Sequence, residues 1–136
     1  GYASAIFATD GKTTAISHGD HPCYDLDIIV KDRGENLSEK HVRLDPEKTP
    51  TKLLVRDGQV FGDYGNEFKN FSSDEVVHKQ DSRLTSISDS GLCTFYDAGT
   101  TEIIDPLKPN KVERLDGLYV FLEAAPQRVT IPVRQS

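Results

Sequence analysis

The chain has 136 residues and a net charge of -6, with 36% apolar residues, six Phe, five Tyr and no Trp. That length supports one domain with a real core, and the apolar residues gather in short blocks, which argues for a fold despite a mean hydropathy of -0.49. Lys and Arg are scattered among more numerous carboxylates, which excludes the concentrated positive face that nucleic acids need and disfavours an anionic membrane surface; the longest apolar run, Leu118 to Leu122, is far short of a membrane span.

The first elements read as hairpins. Tyr2 to Ala8 alternates like a strand, Asp10-Gly11 is a turn signal, and Lys12 to Ser17 returns as the partner. A polar loop, His18 to Cys23, leads to a strand in which Leu26, Ile28 and Val30 share one face and Asp25 and Asp27 the other. Residues 31–51 read as a surface excursion with a short strand at 41–44. If folding gathers a local basic patch there, its members are Arg33, Lys40, His41 and Arg43. Lys52 to Gly62, turning at Asp57-Gly58, is the clearest hairpin. Ser72-Ser73-Asp74-Glu75 has capping-box character and predicts one short helix near residues 73–80, with no longer helix anywhere.

From Arg83 the pattern is of meandering strands. One ends at Ser88, and Asp89-Ser90-Gly91 turns it into a second in which Cys93 and Phe95 share a face. Asp116-Gly117 turns another into Leu118–Leu122, apolar on both faces and so expected at a sheet centre, while Pro132 marks 128–133 as an edge strand. About ten short antiparallel strands, with turn signals roughly every 8–12 residues, predict a single all-β domain over 1–136, a compact barrel or sandwich.

The chemistry is sparse. His18, Asp20 and His21 are metal-ligand types in one loop, and a closed site would need a further ligand such as His41 or His78; ordinary loop composition explains the segment better. Asp25 and Asp27, about 7 Å apart on one strand face, are the spacing of a hydrolase carboxylate pair, yet such alternation mostly keeps a strand soluble. No Gly-x-Ser-x-Gly elbow, phosphate-cradling glycine loop or twelve-residue calcium loop is present. No catalytic residue and no cofactor is implied. Tyr64, Phe68 and Phe71 form the candidate exposed aromatic platform, for carbohydrate or for a protein partner.

Other features point to an oxidising compartment. The two cysteines, Cys23 and Cys93, suit one structural disulfide. Closing a loop of about 70 residues, that bridge is worth roughly 4 kcal/mol in the chain-entropy picture. Asn36-Leu37-Ser38 and Asn70-Phe71-Ser72 are glycosylation sequons. Gly stands at position 1 and Met is absent, which reads as removal of a leading segment.

An acidic, processed chain of this length, with the Cys23 and Cys93 pair and an all-β pattern, resembles the small secreted fungal elicitor and effector proteins of the Trichoderma type that act on plants. The resemblance implies a compact secreted β-barrel without enzymatic activity, recognising a host protein or cell-wall component at the plant surface. It also implies a homodimer through an exposed strand edge. Two other readings stand beside it. One is a β-barrel binding a small ligand or carbohydrate. The other is a metal- or carboxylate-dependent hydrolase built on residues 18–27.

Overall fold

The computed structural model describes residues 3–20, 24–79 and 83–130. Among these every regular element is a strand, fourteen in all, in antiparallel sheets. The all-β expectation holds, but the strand number exceeds ten and no sheet closes into a barrel among the described residues. The chain divides into two compact units, Gly1–Lys79 and Gln80–Ser136, where the sequence shows no boundary.

The first unit is two four-stranded meanders. β1 (Ala3–Thr9), β2 (Thr13–Asp20), β3 (Asp25–Asp32) and β4 (Glu35–Arg43) make one sheet; β5 (Lys52–Arg56), β6 (Gln59–Asp63), β7 (Glu67–Asn70) and β8 (Glu75–Lys79) make the other. Strand alternation sends Ala15 and Leu26 inward from the first sheet and Leu53, Val55 and Val60 inward from the second, into one core that Leu44 completes. β1 and β2 pack against β5. Asp10 fastens the hairpin tips there: Oδ1 accepts the N–H groups of Lys12 (2.9 Å) and Thr13 (2.7 Å), and Oδ2 accepts that of Gly58 (2.8 Å). Burial pushes the Asp10 carboxyl up, but these backbone donors outweigh it and hold the group below its ordinary 3.8. β4 and β8 are outer strands of their sheets, as are β1 and β5.

Several expectations for this unit are corrected. The polar loop at His18 starts later, because residues 18–20 continue β2. The excursion over 31–51 contains β4, nine residues long. The hairpin forms because Arg33 (φ 52°) and Gly34 (φ 81°) adopt the same left-handed pair as the predicted Asp57 (φ 50°) and Gly58 (φ 78°) turn; Arg is a weak turn signal, so the sequence conceals it. The helix near 73–80 is instead a turn and strand β8. Asp74 sits at φ 63°, a conformation no helix propagates, and it is Asn70 Oδ1, not a Ser72 cap, that accepts the Ser72 and Ser73 N–H groups at 2.8 and 3.3 Å.

The second unit holds β9 (Arg83–Ile87), β10 (Cys93–Asp97), β11 (Thr100–Ile104) and β12 (Val112–Asp116) in a sheet of order β12-β11-β10-β9, and a hairpin of β13 (Leu118–Phe121) with β14 (Pro126–Val129). Leu84, Cys93, Phe95, Ile103 and Ile104 are its buried apolar residues. Asp116-Gly117 is a corner between sheets and not a hairpin: β12 pairs with β11, β13 with β14. The expected central strand is therefore half of a two-stranded ribbon: β13 is half-buried along its four residues, and Leu122 lies beyond it, exposed. The predicted edge strand over 128–133 begins earlier, at Pro126, and Pro132 lies outside the described residues.

Candidate functional site

A cleft of about 500 Å³ opens in the first unit beside β3 and β4. Its floor follows from the pleat. Leu26 and Ile28 alternate along β3, and Val42 is the register partner of Leu26 on β4. Tyr64 and Phe71, in the connections that flank β7, supply an aromatic wall: their rings meet edge to face, centroids 6.1 Å apart at 68°. Burial, with the negative charge of Glu67, pushes the Tyr64 phenol up to about 12, so it stays neutral. Lys48 lies 5.4 Å from the Tyr64 ring centroid and pairs with Glu67. Gly62 lets the wall close in: a Cβ there would stand 2.5 Å from Phe71 Cε2 and 3.2 Å from Pro50 Cβ.

Of the expected aromatic platform, Tyr64 and Phe71 line this cleft and Phe68 does not. Phe68 is 1% exposed. It stacks on Phe61 with centroids 5.6 Å apart, because on β7 it points to the side that packs inward. The platform is thus two rings and an aliphatic floor.

A second constellation occupies the outward-facing positions of β2, β3 and β4. His18 Nε2 lies 2.7 Å from Asp27 Oδ2, His41 Nδ1 lies 2.5 Å from Asp27 Oδ1, and His41 Nε2 lies 3.2 Å from Asp25 Oδ1. The predicted carboxylate pair is real as a shared strand face, and both members are engaged by His41. The same strands brought His18 and His41 together around Asp27, with Asp20 exposed at the end of β2. His21 lies outside the described residues. Among the described residues, no group of three or more His, Cys, Asp or Glu side chains is arranged to hold a metal ion. Asp27 comes opposite His41 through the Arg33–Gly34 turn together with a one-residue register shift between Val30 and Lys31, and neither has a signal in the sequence.

The two sequons differ. Asn36 is exposed on β4, whereas Asn70 is buried, its Nδ2 donating to Gln59 Oε1 at 2.8 Å. Cys93 is fully buried at the start of β10. No disulfide is present among the described residues, and Cys23 lies outside them. No helix is long and apolar enough to cross a membrane.

The fold and cleft define an all-β chain with an open, amphipathic groove. No protein-family model matches the sequence, and a search of curated proteins finds no significant match.

Proposed function

We propose that this chain is a recognition protein without enzymatic activity, and that it binds a small ligand in the cleft of its first unit. The observation that carries the reading is the cleft itself. Its volume falls within the roughly 300–1,000 Å³ of small-molecule sites, and an apolar floor beside a few polar groups is their usual chemistry. A secreted, elicitor-like role toward a host surface is compatible with this mode of action, and the exposed Asn36-Leu37-Ser38 sequon supports an extracellular setting. A homodimer through β4 would compete with a glycan at Asn36, since both use that outer strand. The hydrolase reading has less support: Asp25 and Asp27 are each engaged by a histidine on an open sheet face.

The test is an amide chemical-shift map of the full chain, titrated with a fragment set spanning sugars, aromatic acids and acyl chains. Shifts clustered at Leu26, Ile28, Val42, Tyr64 and Phe71 support the reading, and Val42→Phe, which fills the floor, removes them. Shifts confined to other surfaces, or none with any fragment class, overturn it.

A further inference from the structure

The cleft carries charge opposite to that of the chain. Against a net charge of -6 for the whole sequence, its lining holds four cations, Lys40, Arg43, Lys48 and Lys69, and two carboxylates, Asp45 and Asp74. Their states differ. Lys69 Nζ is 2.6 Å from Asp74 Oδ1, and Lys48 is paired with Glu67. Asp45 Oδ1 accepts the Glu47 N–H at 2.9 Å and so closes its own loop. Lys40 and Arg43 have no carboxylate within ion-pair distance among the described residues. Lys40 is the register partner of the floor residue Ile28, whereas Arg43, at the end of β4, is the register partner of Asp25 and reaches the cleft with its guanidinium 4.7 Å from the centroid of the Tyr24 ring.

Two cations outside any ion pair among the described residues, at the lip of an apolar floor, match one kind of molecule. We propose that the cleft takes a free, monomeric amphiphile with an anionic headgroup, its apolar body on Leu26, Ile28 and Val42 against Phe71 and its head between Lys40 and Arg43. This rests on the binding-cleft reading above. An apolar body gains about 25 cal/mol for each Å² removed from water whatever its head, so the floor does not choose between amphiphiles. The rim does. A carboxylate at Lys40 and Arg43 replaces water with charge-assisted donors, whereas an ammonium head there meets like charge. The occupant is a free molecule and not a bilayer lipid, because the acidic remainder of the chain is repelled by an anionic membrane surface.

The experiment is calorimetric titration of the full chain with dodecanoate, dodecanol and dodecylammonium, each below its micelle concentration, and with anionic phospholipid vesicles. The expected order is dodecanoate first, dodecanol next and dodecylammonium last. The Lys40→Gln, Arg43→Gln double variant, checked for an unchanged melting temperature, should weaken dodecanoate by about tenfold and leave dodecanol where it was. Equal affinity for the three amphiphiles overturns the anionic inference and leaves the cleft reading standing. Binding to vesicles alone overturns it in favour of a membrane surface. No binding of any amphiphile overturns it too; whether the cleft reading falls with it is then decided by the sugars and aromatic acids of the chemical-shift map.

Discussion

His41 and Asp27 face each other across β4 and β3 as register partners, with His41 Nδ1 2.5 Å from Asp27 Oδ1. The pairing moves both groups. The hydrogen bond to Asp27 raises His41 above its ordinary 6.5, against an opposing effect of burial and with help from the charges of Asp27 and Asp25. The hydrogen bond from His41 holds Asp27 below 3.8, against burial and with His18 assisting. A raised histidine contributes stability that is fully present below pH 6.5 and is lost as pH rises through its folded value. A depressed carboxylate contributes stability present above pH 3.8 and lost as pH falls through its folded value. The pair therefore stabilises most between those limits. Melting curves of the wild type and His41→Ala should differ most near about pH 5 and draw together as pH rises through the folded value of His41. A gap that is constant across that range would show that the array has no proton-linked role. Both side chains are substantially exposed, so added salt should shrink the gap.

The two sequons should behave differently in a glycosylating host. Asn36 is exposed, its Nδ2 donating to Glu39 Oε1 at 2.9 Å. Asn70 is 6% exposed, bonded to Gln59 and to the Ser72 and Ser73 N–H groups. Folded, secreted protein should carry sugar at Asn36 and none at Asn70, read by mass spectrometry of its peptides. Asn70→Ala should cost about 1–3 kcal/mol by leaving buried partners unsatisfied, while Asn36→Gln should stay within about 0.5 kcal/mol of the wild type. A glycan on Asn70 of the folded protein would contradict the buried placement.

Gly62 couples packing to the cleft. The Cβ of an alanine there would stand 2.5 and 2.7 Å from Phe71 Cε2 and Cζ. The ring must swing away, and Pro50 on the other side, at 3.2 Å, limits how the strand can yield. Gly62→Ala should cost about 1–3 kcal/mol through overpacking, and it should change ligand affinity in a chain that remains folded. Chemical shifts of the Phe71 ring report the displacement directly; an unmoved ring with unchanged stability would refute the close approach.

How far the sequence reveals this fold depends on which residues make the turns. Asp57-Gly58 announces its hairpin because both residue types tolerate positive φ, and the β5 and β6 strands were placed from it. Arg33-Gly34 adopts the same geometry with a residue that carries no such signal, so the sequence shows only a short strand at 41–44 and not the full β4 or its register. Lys40, His41 and Arg43 are legible there as a candidate basic patch, but the Asp27–His41 pairing and the place of Lys40 and Arg43 beside the cleft are not. The aromatic platform was two-thirds legible: Tyr64 and Phe71 occur among turn formers and line the cleft, but the inward side of β7, which claims Phe68, is set only once β7 is paired. Local signals specify turns. Register between strands decides the site.

In the second unit, two side-chain hydroxyls, of Thr101 and Ser86, hold the β13–β14 ribbon to the sheet. Thr101 Oγ1 donates to the Gly117 carbonyl at 2.6 Å and accepts the Tyr119 N–H at 2.9 Å, from a side chain that is fully buried. Ser86 repeats the device further along, its Oγ accepting the Phe121 N–H at 2.9 Å while lying 2.5 Å from Thr94 Oγ1. These bonds act where β12 turns the corner at Gly117, since β13 pairs with no strand of the sheet. Thr101→Val keeps the volume and strips both bonds, leaving a buried donor and acceptor unmatched, and should cost about 1–3 kcal/mol. Thr101→Ser keeps the hydroxyl and should recover most of that loss. Amide exchange separates this account from simple repacking: the Tyr119 amide should lose protection in Thr101→Val and regain it in Thr101→Ser. Unchanged stability in Thr101→Val with a loss in Thr101→Ser would instead place the stabilisation at this position in the threonine methyl, and the hydroxyl account would fall.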